Sequence, residues 1–69
     1  METLGDALPK EQARVRELIV QYRDPLLKGA GNLAAMFAEQ ALQRADKAII
    51  SGDIVAMILS YKELQGFTG

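Results

Sequence analysis

A chain of 69 residues is expected to form one small domain, whose core buries only about 60% of the surface that the unfolded chain exposes. The chain has no cysteine, which excludes disulfides, and no histidine, which argues against a tight transition-metal site, so association is the natural way to supplement a marginal core. A net charge of −1, from eight basic and nine acidic residues, argues against a general nucleic-acid-binding protein.

The first predicted helix covers residues 9–23 and follows a short, loosely held arm over residues 1–7. Pro9 lies where the first turn of a helix tolerates proline. Apolar residues then recur at helical spacing: Val15, Leu18, Ile19 and Tyr22. Asp24-Pro25 ends or bends this helix, because a residue before proline avoids the helical conformation.

The connection to the next helix contains the best candidate for a ligand site. Lys28-Gly29-Ala30-Gly31-Asn32 leads into a helix N-terminus, where backbone N–H groups and the helix dipole attract phosphate. The candidate ligand-binding residues are Tyr22, Arg23, Lys28, Gly29, Gly31 and Asn32. The glycine spacing is not that of a P-loop, and the alternative is that the glycines serve turn geometry while Asn32 caps the helix.

The second predicted helix covers residues 32–51 and carries a seam of small residues at heptad-like spacing: Ala34, Ala38, Ala41, Ala45, Ala48 and Gly52. Such a seam lets another helix approach closely. Ala34, Ala38, Ala41 and Ala45 are therefore candidate interface residues. The sequence leaves open whether the helix that they meet belongs to the same chain or to a second copy.

Ser51-Gly52-Asp53 predicts a sharp joint, with Gly52 ending one helix in the left-handed conformation and Asp53 capping the next. The third helix, over residues 54–65, then folds back on the second as a hairpin. Apolar residues occupy more than half of its circumference, so we expect another surface to cover it, and Met57 and Leu59 join the candidate interface. The sequence predicts an all-α, three-helix domain built on a helical hairpin and forming a homo-oligomer.

No arrangement of residues predicts an enzyme or a cofactor. Without histidine or cysteine, acyl transfer lacks its commonest base and its most reactive nucleophile. Glu39 and Asp46 share one face of the second helix, where carboxylates are typical of a solvated surface. No apolar run reaches the about 20 residues that span a bilayer, and the first residues lack an export signal, so we expect a cytoplasmic protein without membrane contact.

The stretches LPKEQARVRELIVQYR and EQALQRADKAIISGDIVAMILSYKELQG give most of the chain a helical character that resembles small helical accessory proteins of temperate bacteriophages. The similarity rests on this general character, and no residue role transfers with it. It implies a host-interaction function, in which the protein inhibits a host factor or sequesters a signalling nucleotide used in antiviral defence.

Two main hypotheses follow. In the first, a homo-oligomer captures a small phosphate-bearing nucleotide at the candidate ligand site, without converting it chemically. In the alternative, an apolar face centred on the third helix and Met36 docks onto a host protein as an inhibitor or adaptor. A structural role in an assembly is a third possibility, for which the sequence offers no distinguishing feature.

Overall fold

A computed structural model describes residues 2–68. Three helices, α1 (Leu4–Tyr22), α2 (Asn32–Ser51) and α3 (Ile54–Gln65), pack against one another, and a short 3-10 turn at Pro25–Leu27 lies between α1 and α2. The described part of the chain contains no strand, so the all-helical fold is confirmed. The bounds of α2 and α3 are those expected from the sequence.

The beginning of α1 corrects the prediction of a loose arm over residues 1–7. The helix begins at Leu4, so Pro9 lies inside it rather than in its first turn, and Met1 lies outside the described residues. Leu8 is fully buried. Burying a leucine contributes about 1.5–3 kcal/mol, which offsets most of the roughly 3 kcal/mol that an internal proline costs.

The alanine seam packs inside the chain. Ala38, Ala41 and Ala45 have no exposed surface and share one core with side chains of both neighbouring helices, including Val15 and Leu64. The seam therefore meets α1 and α3 of its own chain, which is one of the two arrangements that the sequence leaves open. Small side chains on α2 allow both helices to approach closely.

Because of this packing, only some of the predicted interface residues have exposed surface. Ala38, Ala41 and Ala45 are covered within the chain, and Met57 is only 9% exposed in the same core. Ala34 is half-buried at the edge of the seam. Leu59 differs from all of these, because 63% of it is exposed.

The joint between α2 and α3 has the predicted chemistry. Gly52 takes a left-handed conformation, with φ of 70°, at the C-terminus of α2. The Asp53 carboxylate accepts a hydrogen bond of 3.2 Å from the backbone N–H of Ala56 and so caps α3. The two helices are therefore joined by two residues and run antiparallel.

Two side chains of α1 form hydrogen bonds with residues at and after the end of α3. The Arg14 guanidinium donates hydrogen bonds of 2.9 Å to the carbonyl oxygens of Leu64 and Phe67, and it pairs with Glu11 on its own helix. The hydroxyl of Tyr22 donates to the carbonyl of Thr68 at 2.6 Å. These bonds satisfy carbonyl groups at and beyond the end of α3 and hold Phe67 against the core.

We predict that Ala41→Leu destabilises the fold, because position 41 is fully enclosed and the three added carbon atoms of leucine would displace the side chains around it. Overpacking of this kind costs about 1–3 kcal/mol. Gln43→Leu, at an exposed position of the same helix, is the matched control and should change the free energy of unfolding by less than about 0.5 kcal/mol. Urea unfolding followed by circular dichroism measures both, and equal midpoints for the two variants would contradict close packing of the seam.

Candidate interaction surface

The exposed apolar side chains are unevenly distributed over the molecule. Among residues 2–68, twelve large apolar side chains are exposed, and Val20 is the one on α1. The other eleven lie on α2, on α3 and in the connection between α1 and α2: Leu26, Leu27, Leu33, Met36, Phe37, Ile49, Ile50, Ile54, Val55, Ile58 and Leu59. Scattered apolar residues are normal on a surface, but nine of these eleven lie on α2 and α3, which makes these two helices the candidate interaction surface.

Unequal helix lengths explain part of this exposure. α2 has 20 residues and α3 has 12, so at about 1.5 Å per residue α3 is about 12 Å shorter. Because the tight joint starts α3 beside the C-terminus of α2, the uncovered part of α2 is its N-terminal half. Leu33 and Phe37 lie there and are 60% and 50% exposed.

The outward side of α3 is apolar for a different reason. The eight residues from Ile54 to Tyr61 include no charged side chain, and the core needs only part of the circumference of this helix. Val55 and Leu59, one turn apart, are 67% and 63% exposed.

A groove of about 450 Å³ runs between α2 and α3. Its lining combines short side chains with a charged rim: Arg44, Lys47, Ala48, Ser51, Ala56, Leu59, Ser60 and Glu63. Arg44 and Glu63 bridge the two helices with two parallel hydrogen bonds of 3.0 Å. Such an exposed pair contributes about 0–1 kcal/mol, so it gives the groove polarity rather than rigidity.

We call the outward surface of these two helices the α2–α3 face; it consists of the groove and the exposed side chains of Leu33, Met36, Phe37, Val55 and Leu59. Leu59 and Met36 were singled out from the sequence, whereas the groove was not. Its signal was the presence of short side chains, Ala48 on one helix and Ala56 and Ser60 on the other, close to a two-residue joint.

The candidate ligand residues stay together in the connection, but several have contacts that serve the fold. The hydroxyl of Tyr22 bonds the carbonyl of Thr68, and Arg23 pairs with Glu39 at 2.8 Å. Both side chains therefore have partners within the chain.

The backbone between α1 and α2 also adopts conformations and contacts that constrain which residues can occupy it. Lys28 and Gly29 are left-handed, with φ of 52° and 85°. A Cβ atom on Gly31 would lie 2.0 Å from the carbonyl oxygen of Tyr22, so this glycine allows α1 and α2 to approach at their junction. Gly31, and not Asn32, is the N-cap residue of α2, and no side chain caps it. The exposed Asn32 donates its backbone N–H to the carbonyl of Gly29.

A second cavity, of about 240 Å³, lies between α1 and α3 beside Tyr61 and is lined by charged residues. Lys10 pairs with Glu2 at 2.6 Å, and Arg14 pairs with Glu11 at 2.7 Å. The hydrogen bond and the negative charge of Glu2 raise the pKa of Lys10 above its ordinary value. These pairs compensate the charges that line the cavity.

Across residues 2–68, no three acidic side chains are grouped so that they could hold a metal ion. Within the same range, no helix combines the length and the apolar character needed to cross a bilayer. We found no match to this chain among protein-family models, curated proteins or solved structures.

We predict that Gly31→Ala destabilises the protein by about 2–3 kcal/mol, because the new Cβ would collide with the backbone of Tyr22. Gly5→Ala is the matched control in α1: its Cβ would meet the Thr3 hydroxyl oxygen at an ordinary 3.7 Å, so stability should be unchanged or rise by up to about 1 kcal/mol. Thermal and urea unfolding measure both variants. If Gly31→Ala were as stable as Gly5→Ala, the glycine would have no packing role.

Proposed function

We propose that this chain is a non-enzymatic interaction module that binds another polypeptide through the α2–α3 face. The observation that carries the proposal is that the α2–α3 face exposes five large apolar side chains, whereas α1 exposes one. The packing within the chain accounts for the position of the alanines, but it leaves these larger side chains in water.

Burial of the apolar side chains of this face would contribute more free energy than its exposed ion pair does. The apolar side chains of the face are between 49% and 67% exposed. Full burial of such a side chain contributes about 1.5–3 kcal/mol, so covering the exposed parts of all five contributes about 4–9 kcal/mol before the costs of association. A micromolar complex requires about 8 kcal/mol, which a partner with a comparable apolar surface can help to supply.

The total surface of the molecule supports the same proposal. The accessible surface is 4751 Å² for a mass of 7.5 kDa. A compact monomer of this mass is expected to expose about 4,250 Å². The difference of roughly 500 Å² is consistent with a protein that completes its burial against a partner.

Capture of a phosphate-bearing nucleotide stays a prediction from the sequence, as does the identity of a phage host factor as the partner. The contacts of Tyr22, Arg23 and Gly31 give these residues folding roles, which do not require a ligand. The apolar face has no such intramolecular explanation, and this is why docking is the function that we propose.

The proposal predicts that an environment-sensitive apolar dye, such as anilinonaphthalene sulfonate, binds the native protein at low micromolar concentration through Leu59. Leu59→Gln should lower the dye fluorescence, because it removes apolar surface without adding charge. Val20→Gln is the matched control, since Val20 is 73% exposed on α1, and it should leave the fluorescence unchanged.

Urea unfolding provides the check on folding in this experiment. Both positions are exposed, so both variants should keep the free energy of unfolding within about 0.5 kcal/mol of the original protein. Equal loss of fluorescence from the two variants, or no dye binding by the original protein, would contradict a docking role for the α2–α3 face.

A further inference from the structure

We propose that the groove between α2 and α3 binds a medium-chain fatty acid, with its carboxylate between Lys47 and Ser60 and its hydrocarbon chain along Ala48 and Ala56. This inference goes beyond the docking of a polypeptide and concerns the groove alone. It depends on a buried hydroxyl without a partner, on an unpaired positive charge and on the apolar floor beside them.

The hydroxyl of Ser60 is available to a ligand. Ser60 is only 7% exposed, and it lines the groove. Within residues 2–68, no fully buried side-chain oxygen or nitrogen lacks a hydrogen-bond partner. The Ser60 oxygen, which bonds no other residue in this range, therefore reaches the open space of the groove. There it can donate one hydrogen bond to a bound acceptor.

Lys47 lies across the groove from this hydroxyl. The hydrogen bonds from Arg44 to Glu63 set the level of α3 along α2. Because the two helices are antiparallel, Lys47, three residues after Arg44, is level with Ser60, three residues before Glu63. An ammonium group and a free hydroxyl donor therefore share one level on opposite sides of the groove.

The charges of the groove favour an anion. Arg44 and Glu63 form an ion pair of 3.0 Å, whereas Lys47 forms none in the part of the chain that the structure describes. The lining thus has one uncompensated positive charge, in a chain whose net charge is −1. A carboxylate beside Lys47 would compensate this charge and would accept the hydrogen bond from Ser60.

The other end of the groove suits a hydrocarbon chain. The short side chains of Ala48 and Ala56 line it, and Leu59 adds a larger apolar side chain. The hydroxyl of Ser51, at this end, donates to the carbonyl of Ala48 at 3.1 Å and so has a partner within the fold. One end of the groove is therefore polar and the other apolar, which gives an amphipathic ligand a single orientation.

The dimensions of the groove indicate the length of the chain. From Arg44 to Ser51 it follows seven residues of α2, which is about 10 Å. With C–C bonds of about 1.5 Å, an extended chain rises about 1.3 Å per carbon atom, so about eight carbons fit. The volume of about 450 Å³ is also typical of a small-molecule site. A peptide helix, about 10 Å across, is too wide to lie along this floor.

Octanoate is the probe that tests the inference. In a titration followed by nitrogen–proton NMR correlation spectra, it should bind saturably at millimolar concentration. The amide signals of Lys47, Leu59 and Ser60 should shift more than those of α1. Octyltrimethylammonium has the same chain with the opposite charge, and it should bind about tenfold more weakly because Lys47 repels it.

Two substitutions test the site of the carboxylate. Ser60→Ala should raise the dissociation constant of octanoate about tenfold, because it removes a hydrogen bond to a charged group. Lys47→Gln should raise the constant about three- to fivefold, because an exposed ion pair is weaker. Both should reduce the preference for octanoate over octyltrimethylammonium, which a general loss of stability would not do.

Lys62→Gln is the matched control for the loss of a positive charge. Lys62 is exposed on α3 and does not line the groove, so octanoate binding should be unchanged. Urea unfolding should give the same midpoint for all three variants and the original protein. The Ser60 hydroxyl has no partner to lose, and Lys47 and Lys62 are exposed.

The outcomes separate this inference from the proposed function. No octanoate binding at about 20 mM, or binding that either Ser60→Ala or Lys47→Gln leaves unchanged, would overturn the fatty acid site. If the dye still bound through Leu59 in that case, docking of a polypeptide would stand. Octanoate binding that both substitutions weaken, without dye binding through Leu59, would support the groove site and contradict the docking function.

Discussion

The close packing of α2 against both of its neighbours through an alanine-lined side determines the rest of this structure. Alanine lets two helices approach closely, but each alanine removes less apolar surface from water than a leucine or isoleucine would. The core consequently depends on a few larger side chains of α1 and α3, of which Leu8, Val15 and Leu64 are completely buried. The large apolar residues of α2 that do not fit this narrow contact, such as Phe37 and Ile50, stay exposed.

The stability of such a small domain then depends on contacts that fix its ends. Arg14 joins α1 to the C-terminal residues through two carbonyl groups, and the amide of the buried Gln12 donates to Asp46 on α2 at 2.8 Å. Hydrogen bonds that involve charged groups contribute about 1.5–3 kcal/mol, which is considerable in a chain of this length. Because the core is small, a partner that bound the proposed α2–α3 face would also stabilise the fold.

The sequence predicts the local structure well and the long-range contacts poorly. The end of α2 and the start of α3 follow from short-range chemistry at Ser51-Gly52-Asp53, where a left-handed glycine and a capping carboxylate act within a few residues. The predicted start of α1 was wrong, because the burial of Leu8 offsets most of the cost of a proline inside the helix. The bond from Arg14 to Leu64 spans 50 residues, and the periodicity of α1 contains no signal for it. For the candidate surface, the sequence shows that α3 has more apolar residues than the core can cover. It does not predict the groove, because the groove depends on how α2 and α3 are placed side by side.

Packing of the alanine seam within one chain is tested most directly by isotope-filtered nuclear Overhauser spectroscopy on a mixture of labelled and unlabelled protein. The methyl groups of Ala38, Ala41 and Ala45 should show contacts to core side chains of α1 and α3 within a uniformly labelled chain. No contact from these methyl groups should cross between labelled and unlabelled chains, whether or not the protein dimerises. Strong contacts between chains at Ala41 would contradict the account, because the seam would then be the interface and the α2–α3 face would not.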